Sequence, residues 1–383
     1  MTNPAANTQY PASVTTDLVD DAPDFEPHEI SDRSLVTAQN RSLQIEAEIA
    51  VDPSQFRVLT GDRPTGRLHL GHYLGTLSNR VRLQDLGVET MVLVADYQVI
   101  TDRDDISSIA DRVRDVVTDY LAIGIDPARS TIFTHSAVPA LNQLMLPFLS
   151  LVTDSELRRN PTVKAEHEAT GGRPMSGLLL TYPVHQAADI LFCKANLVPV
   201  GKDQLPHLEQ TRVIARRFNE RYAGGRQVFG SPDALLSETV NVLGVDGQKM
   251  SKSKRNTIDL AMTEDETARQ LKRAVTDSDR TITYDPESRP EVASLLLIAA
   301  TLSGRDPVEI AAEIGDGGGG GLKKVVTEVV NEHLRPIRER RRELAADPGY
   351  VVSVLAEGNA RANDIADATL SEVREAMGMI YTG

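Results

Sequence analysis

The 383-residue sequence has no tryptophan, a single cysteine and no long apolar run. The lone Cys193 excludes a disulfide framework and a cysteine-rich zinc site. The lack of an apolar stretch of about 20 residues argues against a membrane-spanning helix. The N-terminus also lacks the basic segment followed by an apolar segment that marks a signal peptide. Together these absences predict a soluble, cytoplasmic protein.

Charge is distributed unevenly along the chain. The formal net charge is −14, and a strongly acidic protein is an unpromising partner for nucleic acid, because phosphates repel it. Half of that charge lies in residues 1–50, which carry nine acidic against two basic side chains. Residues 323–342 carry seven basic against three acidic side chains. This local excess permits an RNA-binding surface, although a solvated helix face explains such a pattern equally well.

The first 50 residues differ in texture from the rest. Between positions 3 and 29 they are rich in Pro, Asp, Ala and Thr and show little apolar periodicity. Such a segment buries too little surface to offset the entropy lost on ordering. We therefore predict that residues 1–50 form a disordered acidic extension, with a short helix near 40–50.

From residue 51 onward, short apolar runs alternate with helical patterns, which predicts βαβ units and a parallel sheet. The predicted strands are residues 56–60, 91–95, 131–134 and 197–200. Beyond about residue 262 the pattern becomes helical throughout. The five consecutive glycines at 317–321 interrupt it and predict a flexible loop between helices.

The first chemical motif is His69-Leu70-Gly71-His72, directly after a predicted strand and the turn Gly-Asp-Arg-Pro-Thr-Gly at 61–66. A strand, a glycine-rich turn and a helix N-terminus together form an anion site, because free backbone N–H groups and the helix dipole face the ligand. Gly71 permits a close approach that a side chain would block. The two imidazoles lie on one side of the first helical turn and can donate to phosphoryl oxygens. Two surface histidines three apart could also arise by accident.

The second motif is Lys249-Met250-Ser251-Lys252-Ser253, after a Gly-Val-Asp-Gly turn. It is either a basic surface loop or a mobile loop whose ammonium groups neutralise a departing pyrophosphate. The pairing with the upstream histidines favours the second interpretation.

The two motifs together resemble the two signatures of the class I aminoacyl-tRNA synthetases, and most of the remaining chain resembles the tryptophanyl-tRNA synthetase family. The likeness runs from about residue 57 to 379, and the turn at 61–66 is similar to that of a second bacterial form of the enzyme. Further matching stretches include Thr181-Tyr182-Pro183, Ala187-Ala188-Asp189-Ile190-Leu191 and Val198-Pro199-Val200-Gly201-Lys202-Asp203-Gln204.

The resemblance implies an α/β fold with a Rossmann-like, doubly wound parallel sheet and a C-terminal all-helical domain. ATP would then bind at the carboxyl ends of the strands. The implied domains are the acidic extension at 1–50, the catalytic domain at 51–261 and a helical domain at 262–383 that binds the tRNA anticodon.

The resemblance also implies roles for individual residues. The catalytic side chains would be His69, His72, Lys249 and Lys252. The ATP-binding residues would be Arg63, Pro64, Thr65, Gly71, His72, Gly201, Lys202, Asp203, Val240, Lys249, Met250, Ser251, Lys252 and Ser253. The tryptophan-binding residues would be Gln98, Tyr182, Gln186, Asp189 and Gln204.

Asp189 also stands out on physical grounds. It lies between Ala187-Ala188 and Ile190-Leu191, which predicts a partly buried carboxylate that needs a hydrogen-bond donor. An indole N–H supplies one, and phenylalanine would leave the carboxylate unpaired. A helix cap or a structural ion pair is the alternative.

Four positions depart from the family pattern. Arg63 stands where Gln is usual in the common bacterial form, and Lys202 replaces an acidic residue. Gln98 and Gln186 occupy the places of His and Met near the indole pocket.

The implied reaction forms tryptophanyl-adenylate and pyrophosphate from L-tryptophan and ATP, and then transfers tryptophan to tRNA(Trp). Mg²⁺ would be held mainly by the ATP phosphates, no protein metal site is expected, and the resemblance implies a homodimer. A tyrosyl-tRNA synthetase, a small nucleotidyltransferase and a non-catalytic paralogue with a regulatory role are the alternatives.

Overall fold

A computed structural model of the chain describes residues 32–101, 107–171, 173–236 and 242–381. Five strands form one sheet in the order β3-β2-β1-β4-β5, and every pairing is parallel. The strands are β1 (Arg57–Asp62), β2 (Glu89–Val94), β3 (Ser130–Thr134), β4 (Leu197–Val200) and β5 (Asp233–Leu236). The predicted parallel α/β sheet is confirmed, and all four predicted strands are present. They were predictable because parallel strands are buried on both faces and read as continuous apolar runs.

Helices cover both faces of the sheet and continue to the C-terminus. Their bounds are α1 (Asp32–Val51), α2 (Leu70–His72), α3 (Ser78–Leu86), α4 (Ile109–Ile123), α5 (Pro139–Leu149), α6 (Asp154–Arg159), α7 (Pro161–Ala169), α8 (Gly177–Leu191), α9 (Leu205–Arg221), α10 (Glu264–Lys272), α11 (Pro290–Ser303), α12 (Pro307–Ile314), α13 (Gly318–Ala346) and α14 (Pro348–Ala376). A π-helical turn, Tyr73–Leu77, joins α2 to α3. In the described part of the chain, no helix combines the length and apolar character needed to cross a membrane.

The sheet order places a switch point between β1 and β4. From β1 the chain proceeds outward to β2 and β3, then returns to the other side of β1 through β4 and β5. In such sheets the crevice at the carboxyl ends of the two central strands is the usual ligand site. Gly61 at the end of β1 keeps this region close-packed, because a Cβ there would come within 2.3 Å of the carbonyl oxygen of Leu93.

The N-terminal helix α1 corrects part of the predicted extension. Disorder is wrong for residues 32–50, which form a helix longer than the one expected near 40–50, whereas residues 1–31 lie outside the described chain. Ile45 and Ile49 are buried against Val58 and Leu235. Ser42 Oγ accepts from the backbone N–H of Leu236 at 2.9 Å. The helix therefore covers β5 at the edge of the sheet, where unpaired backbone groups would otherwise be open to pairing with another chain.

The C-terminal helices share a core with the sheet. Val92 and Ile132 belong to the same apolar cluster as Leu296 and Val326. Helix α14 packs against β3 so closely that a Cβ on Gly358 would meet the carbonyl oxygen of Ile132 at 1.8 Å. The boundary near residue 262 consequently separates two kinds of secondary structure that are joined by a continuous core.

The glycine run does not form the predicted loop. Gly318–Gly321 are the first turn of α13. A Cβ on Gly319 would lie 2.5 Å from Thr276 Oγ1, so the helix start packs directly against the preceding segment. Tertiary contact has overridden the poor helix propensity of glycine.

Candidate active site

The two histidines of the first motif lie on one side of a helix start, as predicted. Their ring centroids are 3.7 Å apart. The backbone N–H of His69 donates to Nδ1 of His72 at 3.2 Å. Because that nitrogen accepts, the neutral His72 ring carries its proton on Nε2.

Both imidazoles are uncharged at neutral pH. Burial, followed by the electrostatic influence of His72 and Lys252, lowers the pKa of His69 to about 3. Burial also lowers the pKa of His72 to about 4, against the opposing influence of the Asp62 carboxylate. Each neutral ring carries one N–H that can be donated to a phosphate oxygen.

A short backbone pairing brings the second motif to the first. The N–H of Leu70 donates to the carbonyl of Ile258 at 2.8 Å, and the N–H of Leu260 donates to the carbonyl of Leu68 at 3.0 Å. Lys252 Nζ donates to the carbonyl of Gly66 at 2.9 Å. A Cβ on Gly71 would lie 3.4 Å from Met250 Sδ. Segments separated by about 180 residues of sequence thus form one surface.

Asn256 organises the lysine loop and was missed in the sequence. Its Oδ1 accepts from the N–H of Ser251 at 2.7 Å, and its Nδ2 donates to Asp246 Oδ1 at 2.7 Å and to the carbonyl of Lys249 at 3.0 Å. The residue is 1% exposed. The motif does not predict this role, because Asn256 lies after the signature in the sequence and binds its backbone only in the folded loop.

A cavity of about 370 Å³ opens at the switch point. It lies between the carboxyl ends of β1 and β4 and the helices α7 and α8. All five predicted tryptophan-binding residues line it, together with Arg63 and Gly201 of the predicted ATP set. Its other polar lining residues are Thr60, Asp62, Thr76, Arg80, Thr162, Glu166 and His207.

An ion pair that the sequence did not reveal forms one wall of this cavity. Arg80 Nη1 donates to Asp62 Oδ2 at 2.5 Å, and Tyr120 Oη donates to the same oxygen at 2.6 Å. Burial alone would raise the pKa of Asp62, but the charge and hydrogen bond of Arg80 prevail and lower it to about 2. The partners lie 18 and 58 residues from Asp62, so no local pattern announces them.

Tyr182 meets His207 inside the cavity. The Tyr182 hydroxyl lies 3.1 Å from His207 Nε2. Asn160 Nδ2 faces the other ring nitrogen at 3.4 Å, so that nitrogen accepts and Nε2 carries the proton. Burial lowers the pKa of His207 to about 4 and raises the pKa of Tyr182. The tyrosine hydroxyl accepts from His207 and keeps its own proton for a ligand.

Asp189 is 5% exposed and contacts a second histidine that the sequence did not single out. His135 Nε2 lies 2.8 Å from Asp189 Oδ1. His185 packs against the His135 ring, with the ring centroids 4.4 Å apart, and Gln98 Nε2 lies 3.0 Å from His185 Nδ1. Burial lowers the pKa of His185. Asp189 lies in the last turn of α8, is held by His135 just after β3, and is not a helix cap.

The remaining predicted residues fall outside the cavity. Lys202 and Asp203 are exposed beside its mouth, and the lysine loop, Pro64, Thr65, Gly71 and His72 lie next to the cavity without lining it. Arg63 Nη2 is 3.6 Å from Glu166 Oε1. Val240 lies outside the described residues, and Ser253 is described only in its backbone.

The fold and the site together define the class of protein. A parallel sheet with a switch-point cavity, beside which a His-x-Gly-His turn meets a lysine loop, is the arrangement of a class I aminoacyl-tRNA synthetase. The model of the family described as "tRNA synthetases class I (W and Y)" matches residues 52–335, and the chain belongs to that family.

Individual relatives are similar over nearly their whole length. A protein of Clostridium longisporum named tryptophan–tRNA ligase is 41% identical over 333 residues, which cover 85% of this chain and 97% of the relative. A protein of the same name from Treponema pallidum is 42% identical over 331 residues, with the same coverage. The crystal structure of tryptophanyl-tRNA synthetase from Campylobacter jejuni, complexed with ADP and tryptophan, is 32% identical with a TM-score of 0.73, covering 84% of this chain and 99% of that one. The resemblance inferred from the sequence is confirmed, and the chain is a synthetase enzyme.

Proposed function

We propose that the chain is a tryptophan–tRNA ligase that activates L-tryptophan with ATP and transfers it to tRNA(Trp) in protein synthesis. The observation that carries this proposal is the buried Asp189 carboxylate in a cavity that all five expected tryptophan-binding residues line. The relatives of 41–42% identity that bear this name support it.

Two steps make up the proposed reaction. A carboxylate oxygen of tryptophan forms a bond to the α-phosphorus of ATP, and the bond from that phosphorus to the bridging oxygen of pyrophosphate breaks. A terminal ribose hydroxyl of the tRNA then attacks the activated carbonyl carbon, loses its proton and releases AMP. No protein nucleophile is needed, so the rate comes from positioning and from charge stabilisation.

The cavity suits the amino acid. Its apolar lining includes Leu59, Ile190 and Val198, which suits an indole ring, and Asp189 is available for the ring N–H. The Tyr182 hydroxyl and Gln204 line the same cavity and would receive the ammonium group of the substrate. The neutral amides of Gln98 and Gln186 occupy the positions that depart from the family pattern and bring no additional charge.

The two signatures suit ATP. Gly71 and the neutral His72 face the phosphates from the helix start, while Lys249 and Lys252 supply ammonium charge for the leaving pyrophosphate. Gly201 and Asp203 would hold the adenosine, and Mg²⁺ would enter with ATP as part of that substrate.

The helices beyond residue 262 would bind tRNA. Of the seven basic residues between 323 and 342, Arg338 is buried and donates to Thr267 Oγ1 at 2.7 Å, while Arg341 donates to Asp119 at 2.6 Å. Four bases remain exposed for an anticodon surface, namely Lys324, Arg335, Arg340 and Arg342. A homodimer in the cytoplasm completes the proposal.

Pyrophosphate exchange with each amino acid tests the function. The purified chain, incubated with ATP, Mg²⁺ and labelled pyrophosphate, is expected to exchange label into ATP with L-tryptophan. Exchange with tyrosine in place of tryptophan would move the chain to the sister enzyme that the family description also covers. Failure to exchange with any amino acid would indicate a non-catalytic paralogue.

A further inference from the structure

Next to the Asp189 carboxylate lies a connected set of polar side chains, of which the proposed reaction uses only Gln98. It consists of His135 at the end of β3, Asn142 in α5, His185 in α8 and Gln98 after β2. His135 is fully buried, His185 is 3% exposed, and the Asp189 that they adjoin is 5% exposed. The four members of the set come from four different parts of the chain, so only the tertiary fold brings them together.

The hydrogen bonds of the neighbouring amides fix the tautomer of His185. Asn142 Nδ2 donates to the carbonyls of His135 and Val138, at 2.8 and 3.0 Å, so Asn142 Oδ1 must be an acceptor. That oxygen lies 2.8 Å from His185 Nε2, which therefore carries the His185 proton. His185 Nδ1 is then bare and accepts from Gln98 Nε2. His185 is a neutral ring with both nitrogens committed.

His135 faces the carboxylate with its own N–H. Nε2 donates to Asp189 Oδ1 at 2.8 Å, while Nδ1 is buried and has no hydrogen-bond partner among the described residues. The second carboxylate oxygen, Oδ2, has no donor from the described part of the chain. One oxygen of Asp189 is thus occupied by the protein, and the other is available in a side chain that lines the cavity.

Hydrogen bonds of the neighbouring backbone fix the position of His135. Its carbonyl accepts from Asn142 and from the N–H of Val138 at 3.1 Å. The next residue, Ser136, donates its N–H to Asp96 Oδ1 at 3.1 Å and its hydroxyl to the other oxygen of the same carboxylate. The end of β3 is therefore tied to the end of β2, which fixes the backbone of His135, while the ring itself is held by Asp189 and by its packing against His185.

We propose that His135 is the positioning residue of indole recognition: its Nε2–H holds Asp189 Oδ1, so that Oδ2 alone faces the cavity and accepts the N–H of a bicyclic heteroaromatic side chain. This inference rests on the proposed function, because it assigns a specificity device to the tryptophan site. A carboxylate fixed in this way rejects a ligand without a ring N–H, because such a ligand leaves a buried charge unpaired.

The same three side chains, His135, His185 and Asp189, place one ligand atom each within 4.8 Å of one another, which is also the spacing of a metal site. A cation would need a bare nitrogen on His185. Both nitrogens of that ring are already in hydrogen bonds to amides, and His135 Nε2 is in one to the carboxylate. The geometry therefore favours the hydrogen-bond arrangement, and a bound metal becomes an outcome of the test.

The test uses L-tryptophan and β-(3-benzothienyl)-L-alanine, an analogue of the same shape whose sulfur replaces the ring N–H. Pyrophosphate exchange gives kcat/KM for each, and their ratio measures recognition of the N–H. We expect a ratio of about 10³ or more in the unaltered chain, since sites built around a buried polar group discriminate at this level. Tryptophan exchange that is absent altogether would defeat the proposed function, and would do so before any variant is made.

Three variants of His135 separate positioning from packing. His135→Leu removes the donor, and we expect the ratio to fall at least about tenfold, through a higher KM for tryptophan and an unchanged kcat/KM for the analogue. His135→Gln places an amide N–H where Nε2 lies and should restore the ratio to within about threefold. His135→Asn has a shorter amide that does not reach Asp189, so the ratio should fall as it does in His135→Leu. This variant keeps the test available if the leucine variant fails to fold.

Two controls complete the design. Val138→Ala removes a fully buried side chain from the same loop and should leave the ratio unchanged, although it lowers the melting temperature. In an Asp189→Ala background, His135→Leu should have no further effect on the ratio. The inference is overturned if His135→Leu keeps the ratio, if it slows both substrates equally, or if the purified protein holds a stoichiometric metal whose chelation abolishes the ratio.

Discussion

The two halves of the active site are constructed in opposite ways. Around Asp189, side chains from β2, β3, α5 and α8 hold one another through buried hydrogen bonds. In the lysine loop, Asn256 binds the backbone of Ser251 and Lys249, and the Lys252 ammonium donates to the carbonyl of Gly66 at 2.9 Å. A phosphate oxygen can take the place of that carbonyl as acceptor. The comparison assigns choice of substrate to a buried network of side chains and charge stabilisation to a loop bound through its backbone.

We expect the largest effect on the catalytic rate from the substitution of Lys252. We expect Lys252→Ala to lower kcat for pyrophosphate exchange by roughly 10²–10³-fold, as loss of one transition-state charge contact typically does. The KM for tryptophan should stay the same, because the cavity is untouched. Lys254→Ala, an exposed charge in the same loop, is the matched control and should retain full activity. An equal rise in the KM for tryptophan would show that the two regions are not independent.

Asp189 should show the reverse pattern. We expect Asp189→Ala to lower kcat/KM for tryptophan by about 10²-fold or more, because it removes the acceptor for the ring N–H. The value for phenylalanine should change little, so selectivity is lost. Steady-state exchange with both amino acids measures the effect, and unchanged relative activity would contradict the assigned role.

Asn256 offers an intermediate case in the loop. Asn256→Ala removes the side-chain acceptor of the Ser251 N–H and one of the two donors to Asp246 Oδ1, and such losses cost about 1–3 kcal/mol. We expect kcat to fall about tenfold, with the KM for tryptophan within about twofold of the original. A melting temperature measured alongside would separate a local effect from general unfolding. A variant with normal kcat would show that the loop orders itself without Asn256.

The signature histidines predict a pH dependence of stability. Since burial lowers the pKa of His69 to about 3 and of His72 to about 4, the unfolded chain binds protons more readily than the folded one below about pH 6.5. The contribution of these rings to stability is complete above that pH and declines as the pH falls toward 4. In the double variant His69→Gln/His72→Gln, the melting temperature should depend less on pH between about 6.5 and 4 than it does in the unaltered chain. Equal slopes would mean that the rings are not buried as described.

The glycine run provides the smallest expected effect. Gly319→Ala should destabilise the chain by about 1–3 kcal/mol, because its Cβ would lie 2.5 Å from Thr276 Oγ1. Gly320→Ala meets nothing within 4 Å and should stabilise it by about 0.5–1 kcal/mol through better helix propensity. Chemical denaturation of the two variants compares them. Identical effects would indicate that the run is a loop after all.

The features that could be predicted from the sequence are those formed by residues that are close together along the chain. Four of the five strands and the two signatures were evident, because apolar runs and short motifs are local, whereas β5 (Asp233–Leu236) was not predicted. The Asp62–Arg80–Tyr120 cluster and the His135–Asp189 pair were not, because their partners meet only when distant segments fold together. Helix α1 was predicted only as a short helix near 40–50, because acidic composition obscured Ile45 and Ile49, whose burial needs β5 as a partner. The loop predicted for the glycine run was wrong for the same reason, because the packing of its first helical turn depends on the distant Thr276.

The absence of tryptophan from the chain makes one measurement especially direct. Free L-tryptophan, excited at the red edge of the indole band, has no background from protein tryptophan, so its fluorescence anisotropy reports binding alone. Titration with the unaltered chain should raise the anisotropy to a plateau, and titration with Asp189→Ala should require a much higher protein concentration. No rise with the unaltered chain, or the same curve for both proteins, would contradict the assignment of the cavity to tryptophan and of Asp189 to its indole.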